Sequence, residues 1–148
     1  MKRNSGEEEG RTMTMPRRST CLLLAALPPS VGRAREYACG VLARWQLHAM
    51  IDTVELLVSE LVTNAVRATR RLGVGAGDSI YLCLSTHGDV LLIEVWDTGG
   101  EVPLRRTAAD DDETGRGLML VKALSKEWGY KMVDSGGKIV WCACLIEE

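Results

Sequence analysis

The stretch DTVELLVSELVTNAVR, residues 52–67, decides the fold. Val54, Leu57, Val58, Leu61, Val62 and Ala65 recur at the spacing of one helix face, and Asp52 stands where it can cap the first turn. So continuous an apolar stripe has to be buried against another layer. Glu60 and Asn64 flank the stripe one turn apart, about 6 Å along the axis, and do not oppose it. That places them where the helix meets its partner layer, at the edge of a cleft. An Asn carbonyl oxygen is a hard ligand of the kind Mg²⁺ takes, and a neighbouring Glu can accept a proton from an attacking hydroxyl. Taken alone, Glu-x-x-x-Asn reads more simply as two half-exposed helix polars.

Upstream, Cys21–Ala26 is a short apolar run that reads as a strand. Pro28-Pro29-Ser30 then starts a helix with Ser30 as N-cap, and Val31, Ala34, Ala38, Val41, Leu42 and Trp45 give it an apolar face. Downstream, Gly73, Gly75 and Gly77 end the central helix. Ser79–Ser85 and Val90–Trp96 read as strands joined across His87-Gly88-Asp89 as a hairpin. Asp97 to Gly115 has no period and carries Gly, Pro and the acidic run Asp110–Glu113, so it reads as a long functional loop with a solvated acidic segment. A helix is expected from about Arg116 to Glu127, and Ile139–Ile146 closes the chain as a strand entered through Gly136-Gly137. Paired antiparallel strands with helices grouped on one face make an α+β two-layer sandwich with a mostly antiparallel sheet.

The bulk composition agrees with one domain. The chain has 148 residues, 46% hydrophobic and 26% charged, with a net charge of −2. Residues 1–18 are polar, charged and without an apolar period, and read as a disordered tail; residues 19–148 form the domain. The charge balance lacks the clustered basic face that direct nucleic-acid binding needs. No run approaches the roughly 18 apolar residues of a membrane span. Basic residues ahead of Cys21–Leu27 crudely resemble a secretion signal, but the apolar run is short, Pro28-Pro29 follows it, and Glu7–Glu9 interrupt the basic region; a first core strand is the better reading. Five cysteines without a Cys-x-x-Cys pair suit reduced thiols in the cytoplasm better than a disulfide framework or a zinc site. Cys142 and Cys144 fall on one side of a strand, as core thiols; Trp45, Trp128 and Trp141 read as packing, and His48 and His87 as surface residues.

Two further motifs carry chemistry. Asp97-Thr98-Gly99 follows a strand end: the carboxylate can accept a hydrogen bond from an exocyclic amine such as that of adenine, and Gly99 lets a flat ring come close to the backbone. Asp-x-Gly is also an ordinary turn. Gly115-Arg116-Gly117-Leu118 lies where the long loop meets a helix, where freed amides and a helix N-terminus favour anions. It matches neither the Walker pattern nor a complete Gly-x-Gly-x-x-Gly unit.

Taken together, Glu60-Leu61-Val62-Thr63-Asn64-Ala65-Val66-Arg67, Val95-Trp96-Asp97-Thr98-Gly99 and Gly115-Arg116-Gly117-Leu118-Met119-Leu120-Val121 resemble the N, G1 and G2 boxes of the GHKL ATPase superfamily, and within it the short anti-sigma factor serine kinase type. The resemblance runs from about residue 20 to 146. It implies a Bergerat-type ATP-binding fold and an ATP-dependent protein serine kinase that captures regulatory partners. Asn64 would hold Mg²⁺ at the nucleotide phosphates and Glu60 would be the catalytic base. Asp97 and Gly99 would bind adenine, and Gly115, Arg116, Gly117 and Leu118, with Arg67, would complete the ATP site. The partners implied are a sigma factor or an anti-sigma factor antagonist protein, with a homodimer formed through the sheet. The alternative is a non-catalytic nucleotide-binding module that sequesters partners. No helical hairpin with a phosphoacceptor histidine is present, unlike in a complete histidine kinase. Three positions depart from the family pattern: Glu101 where a second glycine is usual, Ala68 where a basic residue often follows Arg67, and Ile139 where a threonine often supports adenine through water.

Overall fold

Period-2 alternation along the strands and 3.6-residue periodicity along two helices face one another across a single core. The computed structural model describes residues 17–71, 78–99 and 119–147. In chain order these form β1 (Ser19–Ala25), α1 (Ser30–Arg44), a 3₁₀ turn (His48–Met50), α2 (Ile51–Arg71), β2 (Ser79–His87), β3 (Val90–Asp97), a helical stretch at residues 119–124, β4 (Glu127–Met132) and β5 (Lys138–Leu145). The sheet order is β1-β2-β3-β5-β4, antiparallel at every step. α1 and α2 pack on each other, α1 against β1 and α2 against β2 and β3. The fold is the expected α+β two-layer sandwich.

Residues 52–67 perform as their pattern dictates. Val54, Leu57, Val58, Leu61, Val62 and Ala65 are all no more than 1% exposed. They meet the inward-facing Ile80, Leu82, Leu84, Leu91, Ile93 and Val95 of β2 and β3 in one continuous core. Burial of each such side chain stabilises the fold by about 1.5–3 kcal/mol. In α1, Ala34, Ala38, Val41 and Leu42 are fully buried, while Val31 and Trp45 pack half-buried at the margin. Small alanines on α1 let it approach α2 closely.

Four details differ from the expected layout. The N-cap of α1 is Pro29, with no side-chain cap bond; Ser30 is the first helical residue, and its hydroxyl donates to the Ala25 carbonyl at 2.6 Å, tying the helix start to the end of β1. α2 begins at Ile51, so Asp52 lies inside the first turn, where a carboxylate suits the helix dipole without capping. The helix expected to reach Glu127 stops earlier: Glu127 opens β4, whose Trp128 packs inward against the core while Gly129 lies opposite Trp141. Finally, the thiols are not all reduced. Cys21 and Cys83 stand directly opposite each other on β1 and β2, 4.1 Å apart at Cα, and are joined as a disulfide. Spacing along the chain hides this pairing, because a sequence separation of 62 gives no hint of cross-strand register. Cys39, Cys142 and Cys144 are free.

The other face of the sheet carries no helix among the described residues. Leu23, Tyr81 and Leu145 are exposed there, and the Tyr81 and Trp96 rings stack at a tilt, 5.7 Å between centroids.

Candidate functional site

The site forms where the end of β3 meets the C-terminal half of α2. Asp97 is the last residue of β3 and points inward, 1% exposed. The Gly99 amide donates to its Oδ1 at 2.7 Å, closing a tight turn through Thr98. Lys138, the first residue of β5, is the register partner of Asp97; its Nζ donates to Asp97 Oδ1 at 2.9 Å and reaches the Gly99 carbonyl at 3.4 Å. Both members of this ion pair are buried. The pairing depends on Gly137, which sits at φ 83° and directly against the Asp97 carbonyl, where a side chain would collide.

Gly99 lies against α2. A Cβ at this position would come within 2.8 Å of the Ala68 Cβ and 2.9 Å of Asp97 Oδ1. The departure at residue 68 thus has a structural reason: a small side chain there lets the β3 turn close down on the helix. One turn back along the same face is Asn64, and one turn further is Glu60, both half-buried. The Asn64 amide nitrogen is buried without a hydrogen-bond partner, as is the Thr98 hydroxyl. The Thr69 hydroxyl, next to Ala68, is a third such orphan; a buried polar group left unpaired costs about 1–3 kcal/mol, and a water, an ion or a ligand can supply the missing partner. The donor set fits a metal-bound polyphosphate, since an amide offers a hard carbonyl oxygen for Mg²⁺ and an N–H₂ for a phosphate oxygen. Arg67 is half-buried on α2.

The sequence of residues 24–143 matches the histidine kinase-like ATPase domain family. The chain belongs to that family. The match extends from β1 to β5, and the two-layer antiparallel fold is that of a GHKL ATPase domain. No curated protein matches the chain in sequence. Among solved structures, the domain resembles a chain of the SiaB–SiaC complex from Pseudomonas aeruginosa, with a TM-score of 0.59 and 13% identity, covering 97% of this chain and 96% of that one. At that identity the likeness is one of fold.

Of the residues expected in the ATPase site, Asp97 and Gly99 meet α2 at Ala68, Asn64 and Glu60 lie one and two turns back along the same helix, and Arg67 is beside Ala68. Gly115, Arg116, Gly117, Leu118 and Glu101 lie outside the described residues, as does the loop that contains them. Ile139, which departs from the threonine often found at this position in the family, pairs with Trp96 and shares that residue's outward face, half-exposed. The residue that faces Asp97 is its neighbour Lys138. Strand alternation could have revealed this, because the buried positions Val140, Cys142 and Cys144 place Lys138 on the inward side.

Elsewhere, a cavity of about 360 Å³ is lined by Met50, Thr53, Leu124, Lys126 and Cys144 among others, away from Asp97. The Cys142 thiol is pushed up by its hydrogen bond to Cys144 and by burial, while Cys144 is lowered by that same bond. Both are packed into the core, as expected.

Proposed function

We propose that this ATPase domain is an ATP-dependent protein serine kinase of the anti-sigma type, which binds a small antagonist protein and phosphorylates it. The observation that carries the reading is a single row along α2. Ala68 touches the turn of Asp97 and Gly99, Asn64 follows one turn away with its buried orphan amide, and Glu60 follows a further turn on. The row spans about 12 Å, in the order that an extended nucleotide would present base, phosphates and acceptor hydroxyl.

Asp97 would accept from the adenine amine and Gly99 would lie beneath the ring. Asn64 would hold Mg²⁺, which supplies neutralisation of charge on the phosphates. Gly115, Arg116, Gly117 and Leu118, with Arg67, are the remaining candidates for phosphate contacts. In the transfer, the partner's serine oxygen forms a bond to the γ-phosphorus, the bond to the β-phosphate oxygen breaks, and ADP leaves. Glu60 takes the serine proton. Phosphoryl transfer asks little more of a protein than positioning, charge stabilisation and one base. The fold's resemblance to a chain of a two-protein complex, SiaB–SiaC, is in keeping with work done on a bound protein. A sigma factor would be the alternate partner, and two copies of the chain would pair through the sheet. No helix among the described residues is long and apolar enough to cross a membrane. The reading places the domain in the cytoplasm, with access to ATP and with the Cys21–Cys83 bond open to cellular thiols.

A second reading, a non-catalytic module that holds partners, is favoured by the apolar sheet face that no helix covers among the described residues, with Leu23 56% exposed. Incubation with ATP, Mg²⁺ and candidate antagonist proteins, followed by phosphosite mapping, separates the two. Serine phosphorylation that falls roughly 10²–10⁴-fold in Glu60→Gln, with ATP binding retained, is the expected result. Tight partner binding without any phosphate transfer would favour the second reading.

A further inference from the structure

The Asp97–Lys138 pair is a puzzle for a site that is to recognise adenine. A buried carboxylate is costly without a counter-charge, and Lys138 supplies one from the adjacent strand, at 2.9 Å with both side chains nearly excluded from water. Lys138 is placed there by three independent features: its register opposite Asp97, the left-handed Gly137 that precedes it, and the inward alternation of β5. A structural lysine would normally send its ammonium to solvent along an apolar stem. This one is 3% exposed and ends on the carboxylate and on the Gly99 carbonyl.

We infer that Lys138 is a positioning residue that sets base selectivity by keeping Asp97 an acceptor. An ionised carboxylate only accepts hydrogen bonds, whereas a protonated one also donates. An acceptor at this position suits the amine of adenine and is mismatched to the carbonyl that guanine presents at the same place. Loss of the lysine's charge shifts the buried Asp97 towards its protonated form. It can then donate, and the distinction between the two bases fades. The Nζ contact to the Gly99 carbonyl adds a second effect: Lys138 pins the turn on which the ring would rest. The inference rests on the nucleotide reading of the site and extends it to specificity.

The test is titration of ATP and GTP, each with Mg²⁺, into the full chain and its variants by calorimetry, with far-UV circular dichroism to verify folding. The wild-type chain should prefer ATP. Lys138→Met should lose about tenfold or more in ATP affinity, the scale of a lost charge-assisted hydrogen bond, and its ATP:GTP ratio should fall towards one. Lys138→Arg, which keeps the charge, should retain most of the ratio. If Lys138→Met does not fold, Asp97→Asn/Lys138→Met removes both charges together, and it should bind the two nucleotides about equally. A folded Lys138→Met with the wild-type ATP:GTP ratio overturns the inference while leaving the nucleotide reading intact, whereas a double variant with that ratio overturns the inference and the adenine-acceptor role of Asp97 together. Equal losses in Lys138→Arg and Lys138→Met also overturn it, since charge would then not be the cause. A wild-type chain that binds neither nucleotide overturns the reading of the site and this inference with it.

Discussion

Gly99 has no room for a methyl group, and that closeness is what joins the β3 turn to α2. Gly99→Ala should destabilise the fold by about 1–3 kcal/mol through overpacking against Ala68, and Ala68→Gly should recover part of the loss. Urea midpoints for the two single variants and the double variant give the coupling directly. A second residue-scale expectation concerns Cys39. Burial, reinforced by its hydrogen bond to Glu55 at 3.3 Å and by that residue's charge, pushes the Cys39 thiol up. A raised value delays the thiolate to more alkaline pH, so alkylation of Cys39 should begin later than for an unperturbed thiol. Glu55→Gln should move the profile to lower pH; peptide mapping by mass spectrometry after timed iodoacetamide treatment reads it, and an unmoved profile would remove Glu55 as a cause. At this scale the sequence was informative about chemistry and silent about partners. Asp97, Gly99, Glu60 and Asn64 stand out by residue type and spacing. The Lys138 contact does not, because it is made between residues brought together only by sheet register.

Elements were legible wherever their period was long. α2 shows its apolar face over about three turns, and the β2–β3 hairpin shows alternation on both sides of a Gly-Asp turn, so both are found within a residue or two. β4 was not. Its six residues, EWGYKM, carry an inward face of Trp128, Tyr130 and Met132 that is half-exposed to exposed, too weakly apolar and too short to announce a strand. β1 is an edge strand fastened to the sheet by the Cys21–Cys83 bond, and its apolar Leu23 faces outward. Reduction should therefore lower stability by about 2–4 kcal/mol, the usual range for a disulfide that closes a long loop. Guanidinium melts with and without reductant, repeated on Cys21→Ser/Cys83→Ser, measure it. The double variant should be indifferent to reductant; an unchanged midpoint for the wild-type chain would show that the bond adds nothing to the fold.

At the scale of the molecule, one sheet face is buried under the two helices, and among the described residues nothing covers the other. Leu23, Tyr81 and Leu145 with the Trp96 ring form an apolar surface of the kind proteins cover with a partner. The chain of 16.2 kDa is expected to scatter light as a dimer at micromolar concentration, and Leu23→Lys should shift it to monomer without loss of helical signal. A wild-type chain that remains monomeric would exclude pairing through this face at that concentration.

The covalent connectivity also gives the unfolded chain a shape of its own. With Cys21 bonded to Cys83, the polypeptide is a lariat: a closed ring that contains α1 and α2, and a long free tail that contains β3, β4 and β5. Glu60, Asn64 and Ala68 belong to the ring, while Asp97, Gly99 and Lys138 belong to the tail. The junction between them is completed only when the tail threads its strands onto the ring's exposed edge at β2. In an oxidised chain, completing the site is therefore the docking of a free tail onto a covalently closed ring.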